Sequence, residues 1–405
     1  MKKAGSLFGG TLIIAGTTIG AGLLALPIVS AQLGFIPSII LMMGVCALMT
    51  YTALVTIEIN FYFGKGINIS NAAEQVLGKT GRGLSTFAIL LLYYALLSAY
   101  ISMGTSTLRE IISASWGMQT SSILPEILFT VVLAAFVYAC TKAVDHLNRM
   151  LFTIKVIFFV ILIASLLPIV STQNLLYVSK DLTPIWAVIA LFVVSFGFHG
   201  SIPSVIDYVG LHPKRLFWTF FIGSLIPLGF YILWEGVTLG SLPLVGEHSF
   251  ERVAMQHDDV GFFISELNGM TESKILDWAT NGFATLAIAT SFLGVGLGLF
   301  DFFAQKGRFS NTKKGRIASA LCTFVVPLAF AIYYPQGFMM ALTYGGLALT
   351  IIAIIMPSLI ALRIRRRTDY NPAYKAPGGS WLLLITFLIG CGIIINEVVV
   401  IMMKK

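Results

Sequence analysis

Apolar runs of about twenty residues recur along the whole chain, separated by short polar segments. A run of that length is what a helix needs to cross the hydrocarbon of a bilayer. About eleven are predicted, at 6–33, 36–62, 85–112, 123–141, 150–170, 185–209, 216–240, 277–304, 315–334, 337–363 and 380–402. The connections are short except near 63–84, 171–184 and 241–276. The alternating ten-residue pattern of a membrane β-barrel is not seen. The fold expected is an all-α polytopic membrane protein of about 11 transmembrane helices.

Two runs are interrupted. The first contains GTTIGAGLLALP, Gly16 to Pro27, with Gly16, Gly20 and Gly22 inside seven residues, and glycine weakens a helix. The sixth contains VVSFGFHGSIPS, Val193 to Ser204, where Gly197, His199, Gly200 and Pro203 break an apolar stretch. The two breaks lie five helices apart, so the sixth helix crosses the bilayer opposite to the first. That is the arrangement of two inverted five-helix repeats with broken helices 1 and 6. The expected division is 1–170 for the first repeat, 185–363 for the second, and 380–405 for an extra C-terminal helix. No clear residue-level identity links the halves, so the repeat rests on where the breaks fall.

Non-helical backbone at membrane depth is tolerated only inside protein or beside a watery cavity. The freed amides of a half-helix N-terminus suit a carboxylate, and freed carbonyls suit an ammonium or a cation. Two adjacent breaks therefore form a receptor for a zwitterion. Helix packing is the competing reading, since Gly16 and Gly20 also fit small-xxx-small spacing.

Composition agrees with a membrane protein. Of 405 residues, 57% are hydrophobic and 11% charged, and the mean hydropathy is +0.89. The net charge of +8 does not point to nucleic acid, because the basic residues sit between the spans. With the N-terminus inside, Arg109, Lys180, Arg252, Lys274, Lys404 and Lys405 fall outside and the other 20 of the 26 fall inside, as the positive-inside rule asks. An odd number of spans leaves the C-terminus outside. The loop 241–276 is acidic. Met-Lys-Lys before an apolar run also suits a signal peptide, but a run reaching about Leu33 is too long for one. Cys46, Cys140, Cys322 and Cys391 lie in or beside apolar runs without metal-ligand spacing, so packing is their expected role. No HExxH, no GxSxG and no suitably paired carboxylates suggest an enzyme, and no cofactor is implied.

The stretches AGTTIGAGLLALP, LFTIKVIFF (Leu151–Phe159), SFGFHGSIPS and ATSFLGVGLGLFDF (Ala289–Phe302) together resemble the hydroxy and aromatic amino acid permease family. It is part of the amino acid–polyamine–organocation superfamily, and the likeness is nearest to tyrosine-transporting members. It runs over nearly the whole chain and is weakest in the loops. It implies a secondary transporter of the bacterial inner membrane that imports an aromatic amino acid by proton symport with alternating access. Tyrosine is the first substrate expected; a tryptophan- or phenylalanine-preferring permease and sodium coupling are the alternatives, and a channel, which suits a symmetric oligomer, fits paired breaks in one chain less well. The partners implied are the amino acid, the proton and the bilayer. On this chain the carboxylate would meet amides around Ile19, Gly20, Ala21 and Gly22. The ammonium would meet carbonyls near Ala15, Gly16 and Phe196, with a hydroxyl from Thr17 or Thr18.

Lys155 lies about six residues into the fifth run. It either snorkels to the interface or faces a partner, as an intramembrane charge usually does. Superfamily members place a sodium ion or a lysine ammonium between helices one and five, and this chain resembles the lysine type. Lys155 is thus expected to contact carbonyls of the first helix and to carry the coupled proton. His199, in the sixth break, is a second proton candidate, or a tie for loose backbone. Phe196 and Phe198 flank Gly197 as core residues or as a gate. Tyr94 and Ser98 share one face of the third helix, near Tyr93 and Tyr100. The eighth offers Asn281, Thr285, Thr290 and Ser291. These are candidates for holding a phenol. Glu58, Asp207, Glu235, Asp301 and Glu397 are expected at interfaces or in pairs, with Glu235 deepest, and Arg363–Arg367 reads as a topology anchor.

Overall fold

The computed structural model describes residues 5–117, 123–139, 141–181, 184–257, 259–306 and 312–403. Lys2, Lys3, Arg308, Lys404, Lys405 and Cys140 lie outside them. The described residues are helical, without a strand. Seventeen α-helices follow in order: α1 Leu7–Thr18, α2 Gly22–Ser30, α3 Phe35–Phe63, α4 Ile69–Trp116, α5 Leu124–Ala139, α6 Thr141–Leu166, α7 Thr172–Leu175, α8 Ile185–Ser195, α9 Ile202–Val209, α10 Pro213–Ser241, α11 Phe250–Met255, α12 Val260–Gly269, α13 Lys274–Lys306, α14 Lys313–Tyr333, α15 Phe338–Leu349, α16 Met356–Ile364 and α17 Gly379–Met403.

Nine apolar spans among the described residues are long enough to cross a membrane, and α1 with α2, bent by 57°, make a tenth. The chain is a multi-pass membrane protein. The fourth expected span, 123–141, is α5, a helix of 16 residues. At 1.5 Å per residue it measures roughly 24 Å against a hydrocarbon core of about 30 Å.

Local sequence sets the ends. Ser6 accepts the Gly9 amide at 3.0 Å and Asn68 the Asn71 amide at 2.9 Å, so both cap helix starts. Gly34 and Gly64, at φ 88° and 112°, bound α3 where a side chain would be strained. The segment 63–84, expected as a connection, is largely helical. α4 begins at Ile69 and kinks at Gly78, where φ is 70°. Ser70, Ala72 and Ala73 are buried, so its first two turns are held by packing. The acidic loop 241–276 likewise folds into α11 and α12, whose caps Ser249 and Asp259 accept amides of Arg252 and Phe262.

Trp186, Trp218, Trp278 and Trp381 are exposed and lie within the first two turns of α8, α10, α13 and α17. Tryptophan at such positions anchors helices at the membrane–water boundary. The exposed sides of α14 and α17 carry Leu321, Val325, Leu388 and Ile395, a surface suited to lipid. α15 and α16 are joined through a π-turn, Thr350–Ile355. Pro357 follows two residues later and has no amide to give the preceding turn.

Candidate functional site

The first run does come apart. α1 ends at Thr18 and α2 starts at Gly22. The Ile19 amide closes the last turn of α1 on the Ala15 carbonyl at 2.9 Å, so it is not free for a ligand. The Ala21 amide donates to Ser291 Oγ on α13 at 2.8 Å. Gly20 and Gly22 lie where α13 and α8 approach the backbone of the break closely. A Cβ on Gly20 would lie 2.6 Å from Ser291 Oγ, and one on Gly22 would lie 3.4 Å from Ser195 Oγ. The Thr17 and Thr18 hydroxyls bond back to Ile13 and Ile14 carbonyls at 2.6 and 2.7 Å, a habit of threonine in membrane helices.

The second run opens after Ser195. Phe196 still bonds to the Phe192 carbonyl, and Gly197 turns back to Val194 at 3.1 Å. A 3₁₀ turn, His199–Ser201, leads into α9 with Pro203 in its first turn, a position where proline's missing amide costs nothing. Phe196 and Phe198 are fully buried. Phe196 meets Tyr231 edge-on at 5.1 Å, and Phe198 stacks on His199 at 5.0 Å. His199 Nε2 lies 2.9 Å from the Thr52 hydroxyl on α3. A Cβ on Gly197 would sit 2.8 Å from the Val194 carbonyl and 3.0 Å from Leu349 Cδ2. Gly197→Ala is therefore expected to distort the turn. Its melting temperature in detergent should fall by several degrees, an effect typical of overpacking by about 1–3 kcal/mol; an unchanged melting curve would contradict the crowding.

Lys155, on α6, is 2% exposed. Its Nζ donates to the Ile19 carbonyl at 2.7 Å and to Thr290 Oγ1 at 3.3 Å. It also stands 4.9 Å from the Phe152 ring centre. The ammonium thus lies against the first break and not at the interface.

Other candidates lie elsewhere. The Tyr94 hydroxyl donates to the Cys322 carbonyl on α14 at 2.8 Å, and Ser98 Oγ to the Tyr94 carbonyl at 2.8 Å. Tyr93, its neighbour, lines a cavity of about 280 Å³ together with His199, Gly200, Thr56, Asn68, Asp301, Leu349 and Ile352. This cavity runs from the second break towards the ends of the helices where α4 begins and α13 finishes. Its walls mix apolar side chains with a few polar groups, as ligand sites do.

Sequence reasoning passed over Tyr231. Its hydroxyl lies 2.8 Å from the Thr18 carbonyl and 2.6 Å from that of Ser195. A tyrosine in the middle of an apolar run was the signal, because a buried phenol needs a partner. Glu235, one turn later, accepts the Ser30 hydroxyl at 2.9 Å. Glu58, expected at an interface or in a pair, is fully buried and paired. Arg365, from the run that reads as a topology anchor, forks onto it at 2.8 and 2.6 Å.

Residues 3–397 match the Tryptophan/tyrosine permease family. The chain belongs to that family. The permease is 37% identical over 383 residues to Tyrosine-specific transport system 1 of Haemophilus influenzae, covering 94% of each chain. It is 36% identical over 386 residues to Tyrosine-specific transport system 2 of the same organism, covering 95% of this chain and 94% of the relative. A Tryptophan-specific transport protein, also of Haemophilus influenzae, is 34% identical over 399 residues, covering 96% and 94%. The resemblance seen in the motifs of the broken helices is thus a true membership, and the protein is a permease and not an enzyme.

Proposed function

We propose that this permease imports an aromatic amino acid, tyrosine in the first place, by proton symport with alternating access. Three relatives are named for tyrosine or tryptophan transport, which supports the substrate class. The observation that carries the coupling is the Lys155 ammonium on the Ile19 carbonyl at 2.7 Å. A cation built into the protein at the first break leaves no need for sodium there, and a buried amine that gives up its proton holds that carbonyl more weakly, having lost its charge. The proton and the shape of the substrate site are linked through one atom. His199 is the second proton candidate, held by Thr52.

In this reading the carboxylate lies against the amides of Gly20 and Gly22, with the Ser291 hydroxyl giving way at Ala21. The ammonium uses carbonyls near Ala15, Gly16 and Phe196, and the ring runs past Phe196, Gly197 and Phe198. Residues 1–170 and 185–363 act as two inverted repeats, with 380–405 outside them. With α5 crossing as a short eleventh span, the N-terminus lies in the cytoplasm and the C-terminus in the periplasm of a bacterial inner membrane. The cavity beside His199 is then a path to the cytoplasm.

Reconstituted vesicles test the reading. An inward proton gradient is expected to drive accumulation of labelled tyrosine above equilibrium, equally in sodium and in potassium. Unlabelled tyrosine should compete better than tryptophan or phenylalanine, because a site that bonds the phenol leaves polar groups unpaired with the others. Accumulation that needs sodium, or that ignores the proton gradient, refutes proton coupling.

A further inference from the structure

Two helix ends of the same sign meet at the breaks. The last carbonyls of α1 and of α8 are each the negative pole of a helix, worth about half a charge, and both point at Tyr231. Its hydroxyl lies 2.8 Å from the Thr18 oxygen and 2.6 Å from the Ser195 oxygen. The side chain is fully buried, and the edge contact with Phe196 at 5.1 Å holds the ring. A phenol has one hydrogen to give, so the two carbonyls share it. Unwound carbonyls gathered in this way are the groups that coordinate an alkali cation in broken-helix transporters. The next carbonyl along, that of Ile19, is already met by Lys155.

We propose that Tyr231 is a positioning residue that stands in for a cation. Its hydroxyl joins the C-terminal ends of the two half-helices and closes a site that sodium would otherwise occupy. The inference deepens the transport reading above and rests on it for the purpose of the breaks. With the phenol in place, the spacing of α1 and α8 is set by a bond borne on α10, and the substrate ammonium is kept from the Thr18 and Ser195 oxygens. Removing the hydroxyl leaves two buried carbonyls without a donor, and such groups draw in whatever positive partner fits.

The test uses the full-length protein and sodium itself as the probe. Melting in detergent is compared in sodium chloride and in choline chloride at equal ionic strength. The wild type is expected to melt alike in both. Tyr231→Ala, which opens room for an ion, should melt several degrees higher in sodium, in a saturable way. Tyr231→Asn, which adds an amide oxygen as a third ligand, should do the same and serves if the alanine variant does not fold. Tyr231→Phe keeps the ring, and its KM for tyrosine in vesicles is expected to rise about tenfold with the maximal rate little changed. The proposal is overturned by a sodium shift in the wild type, by none in a folded Ala or Asn variant, or by a wild-type KM in the Phe variant. The melting comparison needs no transport. Vesicles of wild type that fail to accumulate tyrosine would end the transport reading while the cation result stood.

Discussion

Lys155→Ala is expected to reduce proton-driven uptake by roughly 100-fold, the loss that matches a charged hydrogen bond of about 3 kcal/mol. The ammonium is 2% exposed and gives its bond to the Ile19 carbonyl at 2.7 Å. Alanine leaves that carbonyl bare at the end of α1, where the helix pole is negative. Lys155→Arg separates charge from proton exchange. A guanidinium keeps the positive charge but does not release its proton at working pH. The arginine variant is therefore expected to bind tyrosine yet fail to accumulate it, and to exchange internal for external tyrosine without regard to pH. Full gradient-driven accumulation by either variant would remove Lys155 from the coupling.

The second large effect concerns stability. Glu58 and the Arg365 side chain are 0% and 3% exposed, and they meet at 2.6 Å. Glu58 also accepts the Ala376 amide at 2.8 Å and the Tyr370 hydroxyl, while Arg365 donates to the Ala376 carbonyl at 3.0 Å. This knot fastens the segment after α16 to the end of α3. Removing one partner strands the other charge, which costs about 3–5 kcal/mol. Arg365→Met alone should therefore sharply lower the melting temperature in detergent, and the yield of folded protein with it. The double variant Glu58→Gln, Arg365→Met has no stranded charge and is expected to recover much of the loss. Equal damage from the single and double variants would show that packing, not charge, dominates at this point.

The apolar runs and both breaks could be read directly, because bilayer length and misplaced glycines leave plain marks. Lys155 was also legible, since a charge in an apolar run has few reasons to be there. Tyr231 and the Glu58–Arg365 pair were harder. Their partners lie 213 and 307 positions away, and no local pattern announces a contact over that distance. Tyr94 illustrates the reverse case. Its spacing with Ser98 gave the shared helix face correctly, but spacing does not say what the face meets, and the hydroxyl reaches Cys322 on α14. The first turns of α4 and the helices α11 and α12 escaped because their polarity resembles that of a loop. The caps Asn68, Ser249 and Asp259 were the overlooked cue.

The π-turn between α15 and α16 adds a last point. It holds one residue more than the α-helical path requires, and Leu349 just before it and Ile352 within it face the cavity. Such a helix has slack stored in its own winding. Passing that surplus along the rod would swing these two side chains about its axis without unfolding it, so the cavity wall has a means of changing its profile that a perfectly wound rod lacks.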